Sequence, residues 1–194
     1  MMTAEEAMKK LMEGNRIWRD NGSTGDLSGA KVEHLVNGQS PYAVIVTCSD
    51  SRVVPEAMFH AGCGDLFVIR TAGNTIGAEA LGSIAYAVEH LGTRLILVLG
   101  HTHCGAVAAS VAEGKGSPLI SDIITKIRAA AGNEKNEERI AALNARYAAA
   151  EIREVLKSSR ETDPSSKDHL VVAAGMFHLE DARVEILDDG KNKE

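Results

Sequence analysis

The sequence lacks the features that mark membrane, secreted and nucleic-acid-binding proteins. No apolar run approaches the ~20 residues that cross a bilayer, and the N-terminus has no basic segment followed by an apolar one, as a signal peptide would. Basic residues are not in excess, because 21 Lys and Arg stand against 27 Asp and Glu, which gives a formal charge of −6. That balance provides no basic face for nucleic acid. We therefore expect a cytoplasmic protein that binds neither a membrane nor nucleic acid.

Cysteine is also scarce, with three residues among 194. A small, odd number fits reduced thiols and a metal site better than a framework of disulfides. The chain has no repeat or low-complexity tract that would divide it, and 44% of its residues are hydrophobic. These properties predict a single domain over residues 1–194, long enough to bury a sizeable core.

Apolar segments alternate with helical patterns along the chain. The segments with strand patterns are residues 42–47, 66–70, 94–99, 170–174 and 183–187. The segments with helical patterns are one that begins at Thr3 with a capping box to Glu6, a short one at 32–36, and those at 55–60, 77–91, 105–112, 118–131 and 136–156. The alternation predicts an α/β fold with a mostly parallel β-sheet and helices on both faces. The fifth strand alternates in polarity, which suits an antiparallel edge strand.

Two clusters of reactive side chains follow predicted strands. Cys48-Ser49-Asp50-Ser51-Arg52 comes directly after the first strand, and Gly100-His101-Thr102-His103-Cys104 follows the third. In open α/β sheets, ligands bind at the carboxyl ends of the strands. The two clusters are therefore candidates for one site.

Three side chains in these clusters suit a metal ion, those of Cys48, His101 and Cys104. Two thiols and one imidazole make the number of ligands that a catalytic zinc uses while its fourth position stays open for water or substrate. A structural zinc would need a fourth ligand. A closed site that adds Cys63 or His103 is therefore the alternative.

Cys48-x-Asp50-x-Arg52 followed by His101-x-x-Cys104 resembles the signature of the β-class carbonic anhydrases. The similarity extends to residues 13–16, 69–74 and 86–88 and covers most of residues 10–110, whereas the C-terminal third matches only loosely. The resemblance implies one zinc ion per chain, held by the two Cys and the His, and reversible hydration of CO2 to bicarbonate and a proton. It also implies a mostly parallel sheet with an antiparallel edge strand, and an N-terminal helix used in dimerisation, in a homodimer or a higher multiple of dimers.

Asp50 and Arg52 are the predicted catalytic pair. Two thiolates offset the charge of the cation and make its bound water harder to deprotonate, so the hydrogen-bond partner of that water matters. Asp50 would accept a hydrogen bond from zinc-bound hydroxide, which attacks CO2. Arg52 would keep Asp50 ionised through a bidentate pair. The alternative is a structural ion pair that only fixes the loop.

The resemblance also implies residues that bind substrate. Gln39 matches a Gln that hydrogen-bonds a substrate oxygen, and the alternative for it is an exposed turn residue. Three residues match apolar positions that line the CO2 pocket, partly from across the dimer interface, and without the resemblance they would be interpreted as core: Phe67, Ala72 and Tyr86. The backbone N–H of Gly105 would point at a substrate oxygen, unless Gly105 is only a tight-turn glycine.

Four residues depart from the family pattern or stand outside it. Thr71 stands where the family often has Asn. Ile45 replaces the Trp of a regulatory bicarbonate site found in some bacterial members, although Arg70 matches its Arg, so we expect that switch to be absent and the open site to be accessible. His103 is expected to be a solvated loop residue rather than a proton relay. Cys63 is expected to be an inert buried thiol.

Three other functions are compatible with parts of the pattern. Family relatives hydrolyse carbonyl sulfide or carbon disulfide with the same ligands, and the width of the pocket decides between these substrates and CO2. A non-catalytic zinc-binding or regulatory protein would need none of Asp50, Arg52 and Gln39. A dithiol redox protein that uses Cys48 and Cys104 is disfavoured because the chain has no Cys-x-x-Cys.

Overall fold

Five strands form one sheet in the part of the chain that the computed structural model describes, residues 2–28, 35–112, 117–160 and 170–187. The strands are β1 (Ala43–Cys48), β2 (Leu66–Thr71), β3 (Leu95–His101), β4 (Val171–Phe177) and β5 (Val184–Leu187). Their order across the sheet is β2-β1-β3-β4-β5. All pairs among β1 to β4 are parallel, and β5 pairs antiparallel with β4 at the edge. The predicted fold class is confirmed.

The two central strands, β1 and β3, are buried along their whole length. Both are nearly continuous apolar runs, which is typical of parallel strands covered on both faces. They are adjacent, with Thr47 opposite Leu99, and Oγ1 of Thr47 donates to the carbonyl oxygen of Leu99 at 2.8 Å. The carboxyl ends of the two strands therefore reach the same edge of the sheet.

Helices cover both faces of this sheet. Those with bounds inside the described residues are α1 (Ala4–Asn21), α2 (Pro55–Met58), α3 (Ala78–Glu89), α4 (Gly105–Val111), α5 (Pro118–Ala131) and α6 (Glu137–Arg160). Successive strand residues face opposite sides, so Val44 and Val46 pack with α3 and α6, whereas Ala43 and Ile45 pack with α1 and α2. No helix in the described ranges is both long enough and apolar enough to cross a membrane.

Several boundaries differ from those predicted. Helices α2 and α3 end two residues earlier, and α6 continues four residues further. Strands β3 and β4 are longer at their carboxyl ends, because His101 and Phe177 still pair with each other across the ladder. The short helix predicted at 32–36 lies mostly outside the described residues.

The N-terminal helix α1 packs on its own chain. The predicted capping box is present, because Oγ1 of Thr3 accepts from the N–H of Glu6 at 3.2 Å and Oε2 of Glu6 accepts from the N–H of Thr3 at 2.8 Å. Buried Asn15 donates through Nδ2 to the carbonyl at the end of α2 and to that of Ala182, and it accepts from the N–H of Val184. Helix α1 is thereby tied to α2 and β5. Its part in dimerisation stays a prediction, as do the single domain and the cytoplasmic location.

Gly14 of α1 leaves no room for a side chain. A Cβ on this buried residue would lie 1.9 Å from the carbonyl oxygen of Phe59. Gly14→Ala is expected to lower the free energy of unfolding by about 1–3 kcal/mol, since the clash outweighs the gain in helix propensity. Gly82→Ala in α3 is the matched control, because no atom lies within 4 Å of its Cβ position, and it should raise stability by about 1 kcal/mol. Urea unfolding measures both, and equal midpoints would contradict the close contact of α1 with Phe59.

Candidate metal centre

Three buried side chains, those of Cys48, His101 and Cys104, meet at the carboxyl edge of the sheet. Cys48 and His101 are the last residues of β1 and β3, and Cys104 directly precedes α4. One ligand atom from each lies within 4.8 Å of the others. Neither Cys63 nor His103 belongs to this group, and across the described residues no further set of three or more potential metal ligands is found. The closed-site alternative therefore lacks its fourth protein ligand here.

The imidazole of His101 has one nitrogen left for a metal. Its Nδ1 lies 2.8 Å from the carbonyl oxygen of Thr102 and donates to it, so Nε2 carries the lone pair. Nε2 is buried and has no hydrogen-bond partner within the described part of the chain. A buried polar atom without a partner costs about 1–3 kcal/mol, and a cation at this point would remove that cost. Together with two thiols, this nitrogen fits zinc, which prefers sulfur and imidazole ligands.

The two thiols of the cluster are coupled to each other. The side chain of Cys104 hydrogen-bonds to the sulfur of Cys48 and lowers the pKa of Cys48, and the hydrogen bond from the N–H of Gly73 acts in the same direction. The contact with Cys48, together with burial, raises the pKa of Cys104. The pair thus retains a proton that a bound cation would displace, because metals bind cysteine as the thiolate.

Asp50 lies beside the cluster and is held by Arg52. The guanidinium donates to both carboxylate oxygens, from Nε to Oδ1 at 2.9 Å and from Nη2 to Oδ2 at 2.8 Å. This bidentate contact holds the pKa of Asp50 well below its ordinary value, so the carboxylate stays ionised. Oδ2 lies 3.9 Å from Nε2 of His101, and Nη2 of Arg52 also donates to the carbonyl oxygen of His103 at 3.1 Å. The ion pair therefore joins the two sequence motifs at the edge of the cluster.

Arg70, at the end of β2, supports the backbone of the first motif. Its Nε donates to the carbonyl oxygen of Cys48 at 3.2 Å, and its Nη2 donates to that of Asp50 at 2.6 Å. Ile45 is fully buried in the core. The guanidinium of Arg70 is thus engaged with the metal-binding loop, and the absence of the bicarbonate switch stays a prediction.

The predicted substrate residues take different positions relative to the cluster. Ala72 follows β2 and Gly105 opens α4, and both are exposed next to residues that contact the cluster. Phe67 and Tyr86 form a ring pair with centroids 6.4 Å apart. Tyr86 is 48% exposed, so the interpretation of Ala72 and Tyr86 as core is wrong. Gln39 is exposed before the amino end of β1, and a strand of about 20 Å separates that end from the cluster.

His103 has a partner that the sequence did not indicate. Its side chain is 67% exposed, as expected of a solvated residue, yet Nε2 lies 2.7 Å from Oε1 of Glu180. The other oxygen of Glu180 accepts from the hydroxyl of Thr102 at 2.9 Å. Glu180 lies in the turn between β4 and β5, 77 residues from His103. No local sequence signal points to this contact.

The structure also settles the surroundings of Cys63 and Thr71. Cys63 is exposed, so the prediction of a buried thiol is wrong. It lies in the turn between α2 and β2, where the N–H of Gly62 donates to Oδ2 of Asp65. The hydroxyl of Thr71 donates to the carbonyl oxygen of Thr75 at 2.7 Å, so Thr71 closes the turn that follows β2.

The chain is similar to carbonic anhydrases over most of its length. Residues 43–184, which include both motifs, match the family model described as Carbonic anhydrase. Carbonic anhydrase 2 of Mycobacterium tuberculosis is 34% identical, with 94% of this chain and 92% of that protein covered. A β-carbonic anhydrase structure of Aspergillus fumigatus matches with a TM-score of 0.73 at 21% identity, over 95% of this chain and 92% of that one. One of two tetrameric β-carbonic anhydrases of Sordaria macrospora matches with a TM-score of 0.66 at 25% identity, over 90% and 91% of the two chains.

The two buried cysteines should differ from the exposed one in zinc binding. We expect Cys104→Ser to lower zinc affinity at least about 100-fold, since loss of an outer-shell partner alone costs about 10- to 100-fold. Cys63→Ser is the matched control, because Cys63 is exposed and outside the cluster, and it should keep one zinc per chain with unchanged affinity. Competition with a chromophoric chelator measures both. Loss of zinc from Cys63→Ser would contradict the assignment of the ligands.

The ion pair of Asp50 with Arg52 should make stability depend on pH. Because the pKa of Asp50 is lower in the folded chain than its ordinary value near 3.9, the pair stabilises the fold above about pH 4 and loses this effect as the pH falls further. Wild type should therefore exceed Arg52→Gln in free energy of unfolding at pH 7, and the difference should narrow below about pH 4.

Arg16→Gln is the control for this experiment, because Arg16 pairs with Glu13 and Asp20 on the exposed face of α1. Exposed pairs contribute little to stability, so its difference from wild type should be small at every pH. Urea unfolding between pH 3 and 7 measures these differences. A gap between wild type and Arg52→Gln that widens in acid would contradict the assigned ion pair.

Proposed function

Since the chain belongs to the carbonic anhydrase family, and within it to the β class, we propose that it binds one zinc ion per chain and catalyses the reversible hydration of CO2 to bicarbonate and a proton. The strongest support is the buried Nε2 of His101, which faces two thiols and has no hydrogen-bond partner among the described residues. An ionised carboxylate, that of Asp50, lies 3.9 Å from this nitrogen. A purely structural cation site has no use for such a neighbour.

Cys48, His101 and Cys104 would hold the zinc and leave a fourth position for water or substrate. When bound, zinc supplies Lewis acidity that lowers the pKa of water toward neutrality. Two thiolates offset the charge of the ion. The water at the fourth position is therefore harder to deprotonate, and a hydrogen-bond acceptor beside it becomes important for generating and orienting hydroxide.

Asp50 is the proposed acceptor, and its ionisation is the property that matters. Its carboxylate would accept a hydrogen bond from the attacking hydroxide and so orient the oxygen lone pair toward the carbon of CO2. Arg52 binds both carboxylate oxygens, which keeps Asp50 ionised and directs it. After attack, water would replace bicarbonate, and a proton would leave to solvent or buffer.

The substrate residues belong to the same proposal. The N–H of Gly105 would face an oxygen of bicarbonate, and Ala72 would line the entrance beside the cluster. Gln39 would reach the site from a second copy of the chain, since it precedes the far end of β1. Phe67 and Tyr86 would line the CO2 pocket near the boundary between the copies.

Assembly into dimers or multiples of dimers is proposed on similar grounds. The Sordaria macrospora relatives are described as tetrameric. In this chain, β2 lies at the edge of the sheet, and beside it Tyr86 leaves an aromatic ring 48% exposed. A second copy that covers this edge would bury the ring, and α1 would contribute to the contact.

Substitution of Asp50 tests whether its ion pair with Arg52 is catalytic or only structural. Asp50→Asn keeps the size of the side chain and removes its charge, and we expect CO2 hydration to fall about 10- to 100-fold with zinc still bound. Asp20→Asn is the matched control, because Asp20 is also paired with an Arg, at 2.6 Å, but on the exposed face of α1. Its activity should equal that of wild type. Stopped-flow CO2 hydration from mildly acidic to alkaline pH, on protein of known zinc content, measures both.

Full activity of zinc-loaded Asp50→Asn would show that the pair only fixes the loop. Zinc-loaded wild-type protein without CO2 hydration at any pH would contradict the proposed function itself. Carbonyl sulfide would then be the next substrate to test.

A further inference from the structure

The turn that follows β2 touches one of the candidate metal ligands. Residues Ala72–Asn74 form a short 3-10 turn, and the N–H of Gly73 donates to Sγ of Cys48 at 3.2 Å. Both residues are buried. The backbone of this turn is therefore part of the immediate environment of the sulfur.

This turn has an uncommon backbone conformation that contacts from neighbouring helices stabilise. Gly73 has a φ of 64° and Asn74 a φ of 44°, so two consecutive residues lie in the left-handed region, which glycine adopts freely and asparagine more readily than most other residues. Such conformations persist where surrounding contacts over-determine them. One such contact is packing against α5, because a Cβ on Gly73 would lie 2.8 Å from Cδ1 of Ile127.

Asn144 of α6 holds the turn directly. It is 3% exposed, and its Nδ2 donates to the carbonyl oxygen of Gly73 at 2.7 Å. Its neighbour Ala145 lies in the core cluster that joins α6 to the sheet, so the amide is carried by a rigid element. Lys126 of α5 binds the chain further on, at the carbonyl oxygen of Ile76. Asn144 thus binds the carbonyl of Gly73, the same residue whose N–H donates to Sγ of Cys48.

A hydrogen bond to a coordinating sulfur changes the amount of electron density that the sulfur donates to a cation. The N–H dipole stabilises negative charge on the thiolate and reduces the electron density that it donates. In a site with two thiolates, the cation keeps more of its Lewis acidity when one sulfur accepts such a bond. Removal of outer partners of metal ligands typically lowers affinity or activity by about 10- to 100-fold.

We propose that Asn144 is a positioning residue of the metal centre, which keeps the N–H of Gly73 directed at Sγ of Cys48. The inference rests on the proposed zinc site and adds α6 to the parts of the chain that tune it. Without the Asn144 amide, the buried carbonyl of Gly73 loses its donor, and the N–H of Gly73 is held less firmly toward the sulfur.

Cobalt(II)-loaded protein tests this inference without turnover, because thiolate-to-cobalt charge-transfer absorption reports on the sulfur. Asn144→Leu keeps the approximate size of the side chain and removes its donor. Asn144→Ala is a second variant, with better helix propensity, in case leucine prevents folding. In both we expect the band to move to longer wavelength, because a sulfur without its hydrogen bond holds its electrons less tightly. We also expect kcat of the zinc protein to fall about 10-fold with KM unchanged.

Ile152→Val is the control for lost packing, because Ile152 is fully buried in the core cluster two turns further along α6. Neither the band nor kcat should change in this variant. An unshifted band in a folded Asn144 variant, or an equal shift in Ile152→Val, would overturn the inference. Absence of a thiolate-to-cobalt band in the wild-type protein would contradict the proposed metal centre itself. A band that shifts as expected, in protein that does not hydrate CO2, would support the role of Asn144 and reject the proposed function.

Discussion

The candidate metal centre depends on one constraint, the parallel pairing of β1 with β3. Cys48 and His101 stand at the ends of these strands, and the register places Thr47 opposite Leu99. A slip of one residue would move one ligand about 3.3 Å along its strand and turn its side chain to the other face of the sheet. The three ligand atoms, which lie within 4.8 Å of one another, would then be too far apart to bind one cation. The apolar packing on both faces fixes this register, so core residues far from the cluster determine whether a cation can bind.

Around the cluster, contacts between the two motifs and from later parts of the chain hold the metal-binding loops in place. Arg52 binds Asp50 and also the carbonyl of His103, so the two motif loops are joined to each other. Glu180, from the turn before β5, then holds the side chain of His103, and Asn144 holds the turn behind the first cysteine. The ligands thus lie between residues 48 and 104, whereas much of their support comes from α6 and the β4–β5 turn.

Local sequence patterns were sufficient to predict the central strands and the candidate metal ligands. Continuous apolar runs identified β1 and β3, and the clusters that follow them located the three side chains that converge. The errors lie where tertiary contacts decide. Cys63 is exposed because its turn lies outside the core, although its residue type favours burial. Glu180 and Asn144 bind residues 77 and 71 positions away, and no window of neighbouring residues encodes such contacts.

The buried amide of Asn15 couples the two ends of the described chain in time as well as in space. Its oxygen accepts from the N–H of Val184, 169 residues later, and its nitrogen donates to the carbonyl of Ala182. A ribosome that adds about 5–20 residues per second needs roughly 10–30 s to cover that distance. Helix α1 is synthesised well before these partners, so for that interval Asn15 lacks its hydrogen bonds to Ala182 and Val184. The sheet gains its edge strand β5 only after that interval, and with it the turn that carries Glu180 to the metal-binding loop.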